Sequence, residues 1–311
     1  MTRKPQRLTP IAIAAACLLA ATPWPRAQTA PVLPTGAQVR AGQATITTQG
    51  AQMTVHNTPG TVLNWQSFNI GAGAGVYFYQ ANAASRVLNR VTGNDPTAIF
   101  GTLASNGQVW LLNPNGVLFG ASARVDVAGL VASTLRLSDN DFLAGRYRFV
   151  AADGDAPGLV RNEGTINTTF GGQLALIGGR VENAGDASAP GGQVTLAAGR
   201  SVELVDTGLP NLVVRLREGA GEVLNSGRLV ADGGRIDLFL GEVVEVGNAV
   251  RMTDTAEPTG ARIPESALEI RVVHCPPFSG IGAEERRLDF GAQNHELGKG
   301  KPGEVLRNLI L

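Results

Sequence analysis

Few residues in this chain have the type and spacing that chemistry needs. His56, His274 and His295 are scattered, and none has the spacing of metal ligands. His56 ends an alternating stretch and reads as a surface or turn residue. No Gly-x-Ser-x-Gly segment is present to seat a nucleophilic serine. Gly298–Gly303 (GKGKPG) has Gly-x-Gly-x-x-Gly spacing, but no strand precedes it and it contains Pro302, so it does not read as a phosphate cradle. Asp139 with Asp141, and Asp153 with Asp155, are spaced as acid/base pairs, and Asp153-Gly154-Asp155 offers calcium two carboxylates without further ligands. Each pair lies beside Gly or Asn and reads as solvated turn carboxylates. The expectation is no catalytic residue, no metal and no cofactor.

The elements that would position such residues follow from composition. Gly makes up 40 of 311 residues, against about 7% in an ordinary chain. Aromatics are only 5% and hydrophobics 43%, which suits many short strands with tight turns and is too apolar for disorder. The formal net charge is zero, with 26 basic and 26 acidic residues, so the basic excess of a nucleic-acid binder is absent.

The N-terminus reads as an export signal over residues 1–27. Arg3, Lys4 and Arg7 precede an unbroken apolar run from Ile11 to Ala21, and Thr22–Gln28 breaks it. That run is shorter than the roughly 20 residues a membrane-spanning helix needs. Removing the signal removes Cys17 and leaves Cys275 alone, so no internal disulfide can form.

Residues 28–275 carry an internal repeat. GGQLALIGGRV starts at Gly171, GGQVTLAAGRSV at Gly191 and GGRIDLFLGEV at Gly233, with starts 20 and 42 residues apart. Asn-x-Gly keeps the same phase at Asn162–Gly164, Asn183–Gly185 and Asn225–Gly227, and Gly107 precedes Gly172 by 65 residues. These offsets read as one, two and three periods of about 21 residues. Within each unit the alternation is that of a strand, with Leu174 and Leu176, Val194 and Leu196, and Ile236 and Leu238 sharing a face. The Leu-x-x-Leu-x-Leu unit of leucine-rich repeats is missing, and the Gly density excludes helical repeats. A parallel β-helix remains, with Gly and Asn at positive-φ corners and stacked Asn side chains bonding from coil to coil.

Upstream, Gln52–Val55, Val76–Tyr79 and Gly107–Leu112 read as strands. Asn57–Gly60, Gly71–Gly75, Gly93–Pro96 and Asn113–Gly116 read as turns, with Pro114 fixing φ and Asn115-Gly116 taking positive φ. Ser138–Asp141 followed by Phe142 and Leu143 reads as a capping box opening one short helix outside the stack. Trp65, Phe68, Trp110 and Phe119 read as packing on the interior or flank of the coils. Residues 276–311 form a charged tail that leaves the repeat and holds two of the three lysines. That tail is either a genuine extension, disordered or not, or the product of a truncated or frame-shifted reading frame.

Four motifs in order carry a resemblance: NWQSFNIG (Asn64–Gly71), VLNRV (Val87–Val91), GQVWLLNPNGVLFG (Gly107–Gly120) and GLVAST (Gly129–Thr134). From about Thr35 to Val250 the chain resembles the N-terminal secretion domain of filamentous-haemagglutinin- and haemolysin-like exoproteins of two-partner secretion. The resemblance implies an all-β, right-handed parallel β-helix with coils of about 20–21 residues. It implies recognition by an outer-membrane β-barrel transporter with POTRA domains, and secretion to the medium or cell surface of a Gram-negative bacterium through the periplasm. It also implies a host-cell or cell-surface receptor reached through a passenger region that this chain lacks. The residues it points to for secretion and transporter recognition are Asn113, Pro114, Asn115, Gly116, Asn89, Arg90, Asn64, Trp65 and Asn69.

Two readings of different classes follow: a non-enzymatic secretion module of an adhesin-like exoprotein, and a secreted β-helical carbohydrate-active enzyme. The enzyme needs converging carboxylates in a lateral groove, and the repeat positions carry apolar residues, Gln, Thr and Arg instead.

Overall fold

The computed structural model describes residues 31–151, 158–206, 212–218, 221–240, 242–246, 269–274 and 285–288. The export segment lies outside them, as do Asp153, Asp155, Cys275, His295 and Gly298–Gly303.

Short alternating strands punctuated by Gly and Asn wind into a parallel β-helix with three faces. The coil through Trp110 shows the path. Gln108–Leu112 lies on the first face, Val117–Phe119 on the second and Arg124–Val127 on the third, and Gly129–Ser133 returns to the first in register with Gln108–Leu112. Parallel pairing stacks coil on coil, so Leu111, Phe119 and Val125 point into one shared interior with Val109, Leu130, Leu174, Leu176, Val194 and Ile236. Every one of these is at most 2% exposed, and burying a side chain of this size contributes about 1.5–3 kcal/mol. The inward sets expected from the alternation are the observed ones.

Paired glycines make the stacking possible. Gly171, Gly191 and Gly233 turn the chain with φ of 76°, 62° and 69°. The glycine after each has no room for a side chain: a Cβ on Gly192 would lie 1.8 Å from the Gly172 carbonyl oxygen. On the second face the expected asparagine ladder is present. Asn162 Nδ2 donates to Asn183 Oδ1 at 2.8 Å, and Asn183 Nδ2 to Asn225 Oδ1 at 2.8 Å, all three side chains being buried.

The spacing misled in one respect. Gln193–Ala198 pairs directly with Arg235–Leu240, and Asn183 with Asn225, so the 42-residue step is one coil and not two. The additional residues are an excursion holding the antiparallel strands Ser201–Asp206 and Leu212–Glu218. A second excursion leaves after Gly129–Ser133 and carries the short helix Asp139–Leu143 and the strand Tyr147–Val150, which pairs with Ser201–Asp206. The interval from Gly107 to Gly172 is therefore two coils plus an excursion. Each excursion happens to be about as long as a coil, so it preserves the phase it interrupts.

The excursions cover the outer side of the first face and create a second core. Val62, Leu88, Trp110, Val131, Ala175 and Ile177 point outward from the coils yet are buried beneath Leu135, Phe142, Tyr147, Phe149 and Val202. Trp110 meets the rings of Phe142, Tyr147 and Phe149 at 5.4, 4.7 and 5.9 Å. Arg86 and Arg90 straddle Leu88 on the same strand and hold the excursion down. Arg86 bonds the Tyr147 hydroxyl, and Arg90 pairs with Asp139 at 2.5 Å.

Antiparallel strands pair onto both ends of the first-face sheet. Gln38–Ala41 and Ala44–Gln49 cover the first coil. At the far end Glu285–Leu288, within the charged tail, lies antiparallel on Glu269–His274.

Candidate functional site

The corner Asn113–Gly116 joins the first face to the second between two apolar strands. Asn113 is fully buried and makes the turn itself. Its Oδ1 accepts from the Asn115 backbone N–H at 3.0 Å, and its carbonyl accepts from the Gly116 N–H at 3.1 Å. Its Nδ2 reaches the preceding coil, donating to the Asp95 carbonyl and to Thr97 Oγ1, both at 3.0 Å. Asn115 is exposed, and its Nδ2 donates to the Gly93 carbonyl at 2.9 Å and to Asn113 Oδ1 at 3.1 Å. The corner is thus clipped twice to the turn Gly93–Pro96 below it.

The expected positive φ is found at Gly116, at 131°, and not at Asn115; every positive-φ residue among those described is Gly. Asn tolerates the left-handed region only at a cost. Here its side chain satisfies backbone groups from an ordinary φ, so the left-handed position falls on glycine alone.

Beside the corner lies a groove of about 560 Å³. One wall is Thr92–Asn94 with Pro114 and Asn115, and the other is the excursion segment Leu135–Asp139. Its floor is apolar, from Val91, Leu112, Leu135 and Leu137, while Thr92, Asn94, Asn115 and Arg136 are exposed along its rim. Arg90 crosses the groove and fixes its far wall, with Nη2 donating to the Leu137 carbonyl at 2.6 Å and Nη1 to Asp139 Oδ1 at 2.5 Å.

The other motif residues divide between this groove and the coil interior. Arg90 Nη1 also reaches Asn64 Oδ1 at 3.5 Å. Trp65 and Asn89 are buried, where Trp65 Nε1 donates to Asn89 Oδ1 at 3.0 Å and Asn89 Nδ2 to the Trp110 carbonyl at 3.3 Å. Asn69 Oδ1 accepts from the Ala98 N–H at 2.8 Å, one coil on. These four residues link consecutive coils. Thr97 completes the corner without any sequence signal, while in the sequence Gly93 reads only as a turn residue and Asp139 only as a solvated member of an acidic pair, because their roles here arise from contacts 16 to 49 positions away.

The acidic pair Asp139 and Asp141 lies in the first turn of the helix and not in a loop. Asp141 accepts from the Ser138 hydroxyl at 2.7 Å and from Arg146 Nε at 2.9 Å, while Ser138 Oγ caps the Asp141 N–H at 3.1 Å. The Ser138 bond first, and the Arg146 bond second, hold the Asp141 carboxyl below the ordinary carboxylate range. His56 sits within Gln52–Asn57, exposed, with its ring stacked on Tyr79 at 4.9 Å. Among the described residues no group of three or more His, Cys, Asp or Glu could hold a metal ion.

The family model of the TPS secretion domain matches residues 30–256. A heme/hemopexin-binding protein of Haemophilus influenzae (strain ATCC 51907 / DSM 11121 / KW20 / Rd) is 39% identical over 176 residues, covering 47% of this chain and 19% of that protein. A second heme/hemopexin-binding protein of Haemophilus influenzae is 43% identical over 81 residues, covering 25% of this chain and 9% of its own length. The chain spans at most 19% of the length of these curated relatives. The crystal structure of the HMW1 secretion domain from Haemophilus influenzae is 33% identical with a TM-score of 0.64, over 68% of this chain and 56% of that one.

Proposed function

The chain belongs to the TPS secretion domain family, and from that premise we propose that it is the non-enzymatic module that directs an adhesin-like exoprotein across the outer membrane by engaging a cognate β-barrel transporter through that transporter's POTRA domains. TPS exoproteins are secreted across the outer membrane of Gram-negative bacteria by two-partner secretion. In this reading the N-terminal segment carries the chain to the periplasm, and the mature chain stays unfolded there with Cys275 as its one cysteine. The transporter then takes up a segment within residues 35–250. Coils fold as they emerge, each burying apolar surface on the last at roughly 25 cal/mol per Å², which opposes back-sliding without ATP. In this reading adhesion and any cell-surface receptor belong to a passenger region and not to the secretion module.

The observation that carries the proposal for the site is the division of labour at the corner. Asn113 is buried and needed by the fold, whereas Asn115 and the rim of the groove are exposed and spend little on packing. The test is secretion of Asn115→Ala through the cognate transporter, with thermal unfolding measured on the same variant. Loss of secretion with unfolding within about 2 °C of wild type, the shift of a hydrogen bond worth roughly 0.5–1 kcal/mol, makes the corner a recognition element. Secretion at the wild-type level removes Asn115 from that role.

A further inference from the structure

We propose that Asn115–Gly116 is a site of spontaneous covalent modification, the conversion of Asn115 to aspartate or isoaspartate, which is open in the unfolded chain and closed by formation of the corner. The sequence holds two Asn–Gly dipeptides, Asn106–Gly107 and Asn115–Gly116. Asparagine is among the thermolabile residues, and a following glycine has no Cβ to shield its backbone nitrogen or restrict its approach. The Gly116 nitrogen gives up its proton and attacks Asn115 Cγ. The N–Cγ bond forms, the Cγ–Nδ2 bond breaks, and the departing nitrogen takes protons and leaves as ammonia. Water then opens the five-membered succinimide at either carbonyl. One direction gives aspartate, and the other gives isoaspartate with an added methylene in the main chain. Water enters and ammonia leaves, so no oxidant or reductant is needed.

The folded corner opposes each step. Gly116 is buried, and its N–H is held by the Asn113 carbonyl at 3.1 Å, so the nucleophile is not free. The Asn115 amide is pinned at the Gly93 carbonyl and Asn113 Oδ1. Asn106 is pinned in a comparable way, its Nδ2 donating to the Gln80 carbonyl at 2.8 Å and its Oδ1 accepting from the Gln80 N–H at 2.7 Å. Each labile asparagine is therefore clipped to an earlier part of the stack.

The product does not fit the corner. An aspartate at 115 presents a carboxylate to two oxygens, the Gly93 carbonyl and Asn113 Oδ1, that now receive donated hydrogens. An isoaspartate lengthens a turn whose Gly116 carbonyl must meet the Thr97 N–H at 3.0 Å. Folding slows the reaction, and the reaction, once it has run, prevents closure of the corner. A chain left unfolded too long is marked irreversibly at this site, whichever partner it later meets.

The experiment holds the purified full chain at neutral pH and 37 °C, in guanidinium chloride and in buffer, and follows both sites by peptide mass mapping with isoaspartate detection. Conversion at Asn115 in denaturant, slowed by about tenfold or more in buffer as expected for a site that reacts through local opening, supports the proposal. Equal rates in the two conditions, or conversion of Asn106 but not Asn115 in denaturant, overturn it. The exclusion of the product is read separately. Asn115→Asp should unfold several degrees below Asn115→Ala, and aged chains returned to buffer should keep the modified peptide in the protease-sensitive fraction. Wild-type unfolding of Asn115→Asp, or recovery of modified chains in the folded fraction, overturns that half.

Discussion

At the corner between the second and third faces, Asn162 meets Asn183 and Asn183 meets Asn225, the same residue type one coil on, whereas Asn113–Gly116, between the first and second faces, meets unlike neighbours: Gly93–Pro96 on one side and Gly158–Leu159 on the other. Both corners are built on asparagine, and both leave glycine where the chain turns or approaches closely. The ladder passes one bond from coil to coil by repetition and is buried throughout, ending at Asn225, whose Nδ2 finds no partner among the described residues. The unlike corner has to find partners on another turn, and in doing so leaves Asn115 exposed beside a groove. Repetition stabilises the stack without distinguishing one coil from the next. A corner that departs from the repeat gives the surface a feature a partner can tell from the rest.

The sharpest way to break this contrast is to remove a rung. Asn183→Ala takes away the acceptor of Asn162 Nδ2 and the donor to Asn225 Oδ1 in a buried site. Leaving Asn225 Oδ1 without that donor, and Asn162 Nδ2 with only its 3.3 Å bond to the Asp186 carbonyl, costs about 2–4 kcal/mol in all, a fall in unfolding temperature of roughly 5–15 °C. Circular dichroism during heating measures it. A fall under 2 °C would mean that the ladder is ornamental and that the stack rests on its apolar interior.

A smaller effect is expected at Gly116. Its φ of 131° lies where non-glycine residues are strained by about 1–3 kcal/mol. A Cβ there would meet only Pro96 Cβ at 3.4 Å and the Leu159 carbonyl at 3.5 Å, so space is adequate. Gly116→Ala and Gly116→Val should therefore lower the unfolding temperature by similar amounts. If Val costs far more than Ala, crowding and not backbone conformation governs the corner.

How much of this was legible follows the same division. Leu174 and Leu176, Val194 and Leu196 announce the interior by alternation, and the Asn-x-Gly phase announces the ladder, because each is a local pattern repeated at a distance. The 42-residue interval was misread because an excursion of nearly coil length leaves the phase unchanged, and only pairing separates the two. The outward positions of the first face, such as Ala175 and Ile177, are buried under the excursions, and alternation carries no sign of what covers them. Trp110, expected on the interior or the flank of the coils, packs on the flank, under Phe142 and Tyr147. The four residues of the Asn-Pro-Asn-Gly turn were found from the resemblance and from turn chemistry. Their bonds to Gly93, Asp95 and Thr97 were not, because no periodicity links residues paired only once.

The smallest effect is expected on the opposite wall of the groove, where a charge and not an amide holds the turn. Asp141 closes the capping box with Ser138 and pairs with Arg146, and these contacts lower its pKa in the folded chain. A carboxyl whose folded pKa lies below its unfolded value stabilises the fold above the unfolded pKa, near 4 for an ordinary aspartate. That contribution is lost as pH falls through the lower, folded value. The Asp141 side chain is solvated, so screening keeps the effect slight. Asp141→Asn should unfold slightly below wild type at pH 7, and the difference should vanish in strong acid, where the wild-type carboxyl is protonated too. The asparagine corners carry no titrating group among the bonds described for them, so the deficit of Asn183→Ala should persist across that range. If the Asp141→Asn difference stays constant with pH, the carboxylate acts only through the shape of the cap, and the charged wall of the groove is held in the same manner as the neutral one.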